Sequence, residues 1–300
     1  MSFSANVKNE ILCLDIENEC CRHAFAYGMM LFSRAFSYYD IFLLTEHEGV
    51  ANKYSELMQT VCGVKPKLTK SEAGKFKVEV TKKEDRLKVM ETFGYDKKNG
   101  GSRLNWSNIS DECCKVAFLK GAFLTCGTIN DPNKNYHLEF VVPYLNLSRD
   151  LKLFIQDNDE LSVEPKSITR NSNYVVYFKD SESIEDILTV MGAFNSSLEI
   201  MGVKMYKDMR NNVNRKLNFE NANLDKTLDA SSKQVNAILH IKETVGLSYL
   251  SEDLKELAEL RLENPDMSLR ELGEKLSTSI SRSGVNHRLQ RICEISNSIK

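Results

Sequence analysis

Polar side chains that can read nucleic-acid bases recur at helical spacing near the end of the chain: Arg282, Asn286, His287 and Gln290. Arginine can donate two parallel hydrogen bonds to guanine, and asparagine or glutamine can pair in the same way with adenine. Apolar residues alternate with them at the spacing of one buried helical face: Val285, Leu289 and Ile292. The pattern predicts a helix from about Ser281 that exposes base-reading side chains.

A second helix is predicted just before it. Ser268 and Glu271 have the spacing of a capping box, so a helix is expected to begin at Leu269. The serine and threonine run 277–279 then interrupts the helical pattern. Helix, turn and helix together predict a DNA-binding unit that places its second helix in the major groove. The candidate DNA-contacting residues are Ser281, Arg282, Ser283, Asn286, His287, Arg288, Gln290 and Arg291.

The local charge favours DNA over the alternative of a plain helical hairpin with a solvated polar face. From position 275 onward Glu294 is the only acidic residue, against the basic residues Lys275, Arg282, Arg288, Arg291 and Lys300. The whole chain carries a formal charge of only −2, with a pI near 6.3. A nucleic-acid surface must therefore be a local patch.

The composition is that of a globular protein, with 42% hydrophobic and 27% charged residues, and 300 residues favour two domains. No apolar run is long enough to span a bilayer, and the N-terminus lacks the pattern of a signal peptide. We expect a cytoplasmic, nucleoid-associated protein. None of the eight cysteines forms a C-x-x-C pair, so buried free thiols are expected, without a metal or cofactor.

The first two-thirds of the chain contain an internal repeat at a shift of 93 residues. The segment 19–36, ECCRHAFAYGMMLFSRAF, matches the segment 112–129, ECCKVAFLKGAFLTCGTI. Each copy continues with a strand pattern, a helix, a second strand pattern and a short amphipathic helix. This predicts two copies of one α+β unit, at about 19–95 and 111–193. Gly28 and Gly121 occupy equivalent positions, and such small residues allow the two repeated helices to pack closely as a pseudo-symmetric pair.

The segment 118–127, FLKGAFLTCG, resembles the helix of the LAGLIDADG homing endonucleases. That motif normally carries aspartates at its sixth and eighth positions, which here are Leu124 and Cys126. The first copy has Leu31 and Ser33 there. Magnesium needs hard oxygen ligands, so the resemblance implies a domain without a metal site or catalytic residues. Asp131 is the single carboxylate near the end of the second helix.

Between the repeats and the C-terminal unit, the segment 206–222 is basic and rich in asparagine. Asparagine favours turns over helix interiors, so this segment is predicted to be a non-helical connector with some fixed local structure. Its candidate phosphate contacts are Lys207, Arg210, Arg215 and Lys216. A solvated linker without a role in binding is the alternative. The predicted domains are then 1–205 and 223–300, and two helices are expected to pack beneath the helix-turn-helix.

The whole pattern resembles the WhiA family of bacterial transcription regulators. The most specific matches are FLKGAFLTCGTINDPNKNYHLE, MRNNVNRKLNFENANLDKT, and SLRELGEKL followed by SRSGVNHRLQRI, in the family's order. The resemblance implies an α+β fold, in which a pseudo-symmetric two-repeat LAGLIDADG-like domain precedes an all-α helix-turn-helix domain. It also implies a non-catalytic, sequence-specific regulator of double-stranded DNA. Members of the family influence cell division, chromosome segregation and, in spore formers, sporulation.

Two other functions remain open. The repeat domain can serve as a scaffold that binds another protein, because its strands carry a mixture of lysines and glutamates that would attract a phosphate backbone only weakly. An active LAGLIDADG-type nuclease is the other alternative, and it would need a carboxylate near the helix ends.

Overall fold

The computed structural model describes residues 2–96, 102–158 and 161–299. The chain divides into two compact units, Met1–Lys207 and Asp208–Lys300. Lys300 and the glycine pair at 100–101 lie outside the described residues. No helix in the described ranges combines the length and the apolarity that crossing a membrane requires.

The first unit contains the predicted repeat, preceded by a helix, α1, at Phe3–Leu12. The elements of the first copy are α2 (Glu19–Leu31), β1 (Ala35–Phe36), β2 (Ile41–Thr45), α3 (Glu48–Cys62), β3 (Lys67–Lys70), β4 (Phe76–Glu79) and α4 (Lys83–Thr92). The elements of the second copy are α5 (Glu112–Cys126), β5 (Gly127–Ile129), β6 (Leu138–Val142), α6 (Leu145–Gln156), β7 (Lys166–Arg170), β8 (Asn173–Phe178) and α7 (Ser181–Val190). The order of elements is identical, which confirms the repeat.

Each copy folds into one four-stranded antiparallel sheet. The strand orders are β1-β2-β4-β3 and β5-β6-β8-β7, so equivalent strands take equivalent places. Their inner faces pair apolar residues, such as Leu43 with Val78 and Phe140 with Val176. The sequence indicated only the two central strands of each sheet. In the outer strands β3 and β7 every side chain except that of Thr69 is exposed, and each strand holds a single apolar residue, so neither carries an alternating apolar pattern.

The helices α2 and α5 pack against each other through the two predicted glycines. A Cβ at Gly28 would lie 2.3 Å from the carbonyl oxygen of Phe118, and a Cβ at Gly121 would lie 2.2 Å from that of Phe25. Phe25 and Phe118 are themselves equivalent under the 93-residue shift. The two close contacts are therefore exchanged by one pseudo-twofold axis, which confirms the predicted symmetric helix pair.

The prediction of a non-helical connector is wrong. Residues 206–222 belong to α8, a 51-residue helix that spans Phe194–Thr244 and contains the boundary between the two units. No proline interrupts this range, and Gly202 is its only glycine. Asparagine costs at most about 0.7 kcal/mol per residue in a helix, and the asparagines are exposed, so their turn preference does not break it.

The second unit is all-helical and has its own core. The end of α8 is followed by α9 (Glu252–Glu263), α10 (Leu269–Lys275) and α11 (Arg282–Ser298). The buried core residues come from all four helices and from the residues next to α9 and α10: Ile238, Ile241, Leu250, Leu254, Leu257, Ala258, Leu272, Leu276, Val285, Leu289 and Ile292. The expectation of two helices packed beneath the helix-turn-helix is confirmed.

A buried arginine fastens these supporting helices together. Arg261 in α9 donates from Nε and Nη2 to Oε1 of Gln234 in α8, at 3.0 and 2.8 Å. Its Nη1 donates to the carbonyl oxygens of Met267, at 2.6 Å, and Pro265, at 3.3 Å. The guanidinium thus binds two backbone carbonyl groups in the segment just before α10, and these hydrogen bonds fix where α10 begins.

Candidate nucleic-acid interface

The helix α10 begins with the predicted capping box. The Oγ of Ser268 accepts a hydrogen bond from the backbone N–H of Glu271 at 3.3 Å, and the carboxylate of Glu271 accepts one from the N–H of Ser268 at 2.9 Å. These bonds hold the pKa of Glu271 below its ordinary value. Both interactions favour a helix that starts at Leu269.

The turn between α10 and α11 is held at both sides. Ser277 donates to the carboxylate of Glu256 in α9 from its backbone N–H, at 2.6 Å, and from its hydroxyl, at 2.9 Å. Across the turn, the N–H of Ile280 donates to the carbonyl of Gly273 at 3.1 Å. A Cβ on Gly273 would lie 2.4 Å from the carbonyl oxygen of Ile280, so this close approach requires glycine.

Ser281 caps α11 by accepting a hydrogen bond from the N–H of Gly284 at 3.3 Å. Val285, Leu289 and Ile292 are buried, as predicted. The opposite face exposes six of the candidate DNA-contacting residues: Arg282, Ser283, Asn286, His287, Gln290 and Arg291. Within the described ranges, no hydrogen bond or ion pair engages the side chains of these six, so they are free to meet a ligand.

Two candidate contacts are placed differently. The side chain of Ser281 is occupied as the helix cap. Arg288 is half-buried and turned towards α9, where its Nε lies 3.5 Å from Oδ2 of Asp253 and its Nη1 lies 3.5 Å from the Asp253 carbonyl oxygen. Arg288 therefore braces α11 on α9, and the structure does not bring it onto the free face.

A cleft of about 730 Å³ runs beside the N-terminal half of α11. Its lining includes Arg282 and Asn286 from α11, Arg270 from α10 and Lys226 from α8. Four cationic side chains thus line one opening, next to a base-reading asparagine. The fourth, Arg261, is buried and bound to Gln234, and Arg270 also pairs with Glu274 at 3.0 Å. The sequence analysis missed Arg270 and Lys226, because they are 12 and 56 residues before Arg282 in the chain and only packing brings them near it.

The four candidate phosphate contacts do not form one surface. Lys207 lies over the ring of Tyr136, with Nζ 4.5 Å from its centroid, and donates to the carbonyl of Pro132 at 2.6 Å. Arg210, Arg215 and Lys216 are exposed. On a helix of 3.6 residues per turn Arg215 points about 140° away from Arg210, and Lys216 a further 100° around. These three side chains cannot all face one phosphate backbone.

The ends of α2 and α5 hold no carboxylate at the two equivalent positions. Ser33 is buried and donates to the carbonyl oxygen of Met30 at 2.7 Å. Cys126 is also buried, which raises its pKa to about 12. The ammonium of Lys8, on the helix α1, donates to the carbonyl of Leu124 at 3.0 Å and lies close to Cys126. Burial lowers the pKa of Lys8 to about 8, and a cation at this place opposes the binding of a metal ion.

Asp131, the remaining candidate carboxylate, is used by its own loop. It accepts hydrogen bonds from the backbone N–H and the side-chain amide of Asn133, at 2.9 and 3.0 Å, and these lower its pKa.

On the sheets, Lys75 pairs with Glu46 at 3.2 Å and Lys77 pairs with Glu79. In the second sheet, Arg170 pairs with Glu139 at 2.7 Å. These pairs neutralise the mixed surface that the sequence indicated.

The expectation of buried thiols holds for four of the eight cysteines, since Cys13, Cys20 and Cys113 are exposed and Cys293 is half-buried. A buried thiol is the rule for a residue on the inner face of a helix. Cys20 and Cys113 instead lie on the exposed side of the first turns of α2 and α5.

Comparison with known proteins finds a matching protein family for each of the two units. The model of the WhiA LAGLIDADG-like domain matches residues 115–210, and the model of the WhiA C-terminal HTH domain matches residues 213–296. The probable cell division protein WhiA of Thermoanaerobacter pseudethanolicus is 39% identical over 318 residues, which cover 100% of this chain and 98% of that protein. The relative of the same name from Alkaliphilus oremlandii is 37% identical over 319 residues, with the same coverage.

The fold also matches a solved structure. The crystal structure of full-length DUF199/WhiA from Thermatoga maritima superimposes with a TM-score of 0.58 at 24% identity, over 100% of this chain and 99% of that chain. The chain therefore belongs to the WhiA family, and it is a WhiA-like DNA-binding regulator with a LAGLIDADG-like domain and a C-terminal helix-turn-helix domain.

Proposed function

We propose that this protein regulates transcription by binding specific double-stranded DNA sites through the exposed face of α11, without catalysis. The genes it controls are proposed to act in cell division, the process for which its relatives are named. Chromosome segregation and, in a spore former, sporulation are the further processes that we propose it influences. Its site of action is then the nucleoid.

One observation carries the proposal: an N-capped helix presents Arg282, Asn286 and Gln290 on one free face, each four residues from the next. The spacing places them in a row along the helix, in its N-terminal half. That half is the part of a recognition helix that contacts base edges. Arginine and the amide side chains are also the residue types with two-point contacts to guanine and adenine.

The cleft beside this face supports the same geometry. Lys226 and Arg270 flank Arg282 and are suited to phosphate contacts that set the orientation of the helix on the duplex. We propose these two as phosphate contacts ahead of Arg210, Arg215 and Lys216, of which only one or two can meet the same backbone.

The experiment compares Arg282→Ala and Asn286→Ala with wild type. A binding site is first selected from random duplex DNA, and binding is then measured by fluorescence anisotropy at one fixed salt concentration. Each change is expected to weaken specific binding by about 1–3 kcal/mol, because each removes a two-point base contact. Both residues are exposed, so circular dichroism spectra and unfolding midpoints are expected to stay unchanged.

Matched controls come from the same unit. Asn297→Ala removes an exposed amide from the other end of α11, and Lys242→Ala removes an exposed charge from the end of α8. Both controls are expected to bind the selected site almost as wild type does. Equal binding by all four variants and wild type would show that α11 does not read the site.

The two alternatives have separate readouts. The proposed function predicts that chromosomal occupancy is lost in a chain ending at Lys204. A scaffold whose C-terminal unit only localises it predicts the same loss, but its truncated chain still captures the protein partner. A footprint shared with the full-length chain would discredit the C-terminal unit as the DNA reader. A residual nuclease predicts strand breaks with magnesium or manganese that vanish in Asp131→Ala. We expect no cleavage, because the helix ends carry Ser33, Cys126 and the Lys8 ammonium where an enzyme of this type needs carboxylates.

A further inference from the structure

Two pairs of adjacent cysteines meet where the paired helices begin. Cys20 and Cys21 lie in the first turn of α2, and Cys113 and Cys114 lie in the first turn of α5. The four Sγ atoms all lie within 4.8 Å of one another. In the described part of the chain, this four-cysteine cluster is the one place where three or more potential metal ligands converge.

The distances between the sulfur atoms suit one tetrahedral ion. Zinc binds thiolate sulfur at about 2.3 Å, which places four tetrahedral sulfurs roughly 3.8 Å apart. No two sulfurs of the cluster are more than 4.8 Å apart. Each thiol therefore needs to move by less than about 1 Å, which side-chain rotation supplies without shifting either helix. Four thiolates form a soft ligand set, which selects zinc over oxygen-seeking ions.

The packing of the helices places these ligands without help from a metal. Cys21 and Cys114 each lie seven residues, about two helical turns, before Gly28 and Gly121. The glycines let the two helix backbones touch, since a Cβ at either glycine would lie only 2.2–2.3 Å from a carbonyl oxygen of the other helix. The same pseudo-twofold axis brings the two first turns together. The cluster is thus a preorganised site, and little ordering entropy remains to be lost when an ion binds.

Electrostatics favour an anionic group at this end of the pair. Two helix N-termini lie side by side, and each carries a partial positive charge and unsatisfied N–H groups. Zinc with four thiolates has a net charge of −2, which offsets both. Lys120, half-buried, lies near Cys21, and the exposed Glu112 is paired with Lys115 at 2.6 Å. The remaining acidic side chains at this end, Glu19 of α2 and Asp111 at the N-cap of α5, are exposed.

The cluster is buried on one side only. Cys21 and Cys114 are buried, whereas Cys20 and Cys113 are exposed, so an ion can enter from solvent and then be shielded from below. All four positions of a tetrahedral ion would be filled by protein sulfur. A closed site of this type is structural, because it leaves no position for a reacting water.

We propose that Cys20, Cys21, Cys113 and Cys114 bind a single zinc ion that fastens the first turns of the two repeats to each other. The expectation of a protein without a metal rested on the absence of C-x-x-C spacing within one segment. Here each repeat contributes one adjacent pair, and the pairs are 93 residues apart. This site is independent of DNA reading, since all four ligands lie in the first unit.

The test is made on the full-length protein, purified under reducing conditions without added metal and then titrated with zinc. We expect about one bound zinc per chain by elemental analysis. Replacement by cobalt is expected to give the visible bands of a tetrahedral ion and the near-ultraviolet band of thiolate ligation. A chelator is expected to lower the unfolding midpoint reported by Trp106, the only tryptophan, which lies in the first unit.

The variant Cys20→Ser with Cys113→Ser changes only exposed ligands, so the fold is retained while the zinc is lost. Cys13→Ser, an exposed cysteine outside the cluster, is the matched control and is expected to keep its zinc. Equal zinc content in both variants would overturn the proposal. So would a wild-type protein that binds no zinc, one whose four thiols are joined as disulfides by mass spectrometry, or one that holds iron with an iron–sulfur absorbance in place of zinc.

Discussion

The close contact of α2 with α5 predicts that adding a single methyl group at its centre destabilises the repeat domain. In Gly121→Ala, the new Cβ would lie 2.2 Å from the carbonyl oxygen of Phe25 and 2.9 Å from the backbone nitrogen of Met29. Both neighbours are backbone atoms of a helix, so no side chain can rotate away. The helices must separate by about 1.2 Å to restore an ordinary contact of 3.4 Å.

Overpacking of this kind costs about 1–3 kcal/mol, even though alanine is the better helix former by about 1 kcal/mol. Gly28→Ala meets the same geometry, with a Cβ 2.3 Å from the Phe118 oxygen, and is expected to cost a similar amount. The double variant is expected to cost clearly less than the sum of the two. The reason is that the separation forced by the first methyl group also relieves the second contact.

Urea unfolding followed by Trp106 fluorescence measures these free energies of unfolding. This tryptophan packs near Phe154, with their ring centroids 6.1 Å apart, so it reports the unit that contains the helix pair. Gly202→Ala is the matched control, because a Cβ at this glycine of α8 would meet nothing within 4 Å. It is expected to stabilise by up to about 1 kcal/mol. Fully additive costs, or no destabilisation by either of the two variants, would refute a shared contact at the centre of the pair.

Three further predictions concern the C-terminal unit. Leu272→Ala leaves a cavity in the helix-turn-helix core, where Leu272 is fully buried, and is expected to lower the free energy of unfolding of this unit by about 2–5 kcal/mol in thermal denaturation. Ser268→Ala removes the capping box and is expected to cost about 0.5–2 kcal/mol in the same assay, with the exposed Ser298→Ala near the end of α11 as a control of small effect. Lys226→Ala and Arg270→Ala are each expected to weaken binding to all DNA sequences about equally and to reduce the slope of log affinity against log salt by about one. If the slope of log affinity against log salt stays unchanged, the cleft is not part of the DNA interface.

The sequence by itself determined the features that depend on neighbours along the chain. The capping box of Ser268 and Glu271, the buried stripe of α11 and the central strands of both sheets follow from local hydrogen bonding and from the burial of one face. The internal repeat also predicted one contact between distant segments. Because Gly28 and Gly121 occupy equivalent positions, the sequence indicated that the two repeated helices pack against each other.

Only the tertiary structure decided the features that depend on which distant segments meet. The outer strands β3 and β7 form because a partner strand accepts their hydrogen bonds, although their own residues lack a buried face. Arg288 leaves the reading face because Asp253 of another helix lies within reach, and Lys226 and Arg270 join the cleft by packing alone. The four cysteines carried no ligand spacing within either copy. They converge because two helices from different repeats approach to backbone contact, and the spacing of cysteines within one segment does not show which distant residues meet.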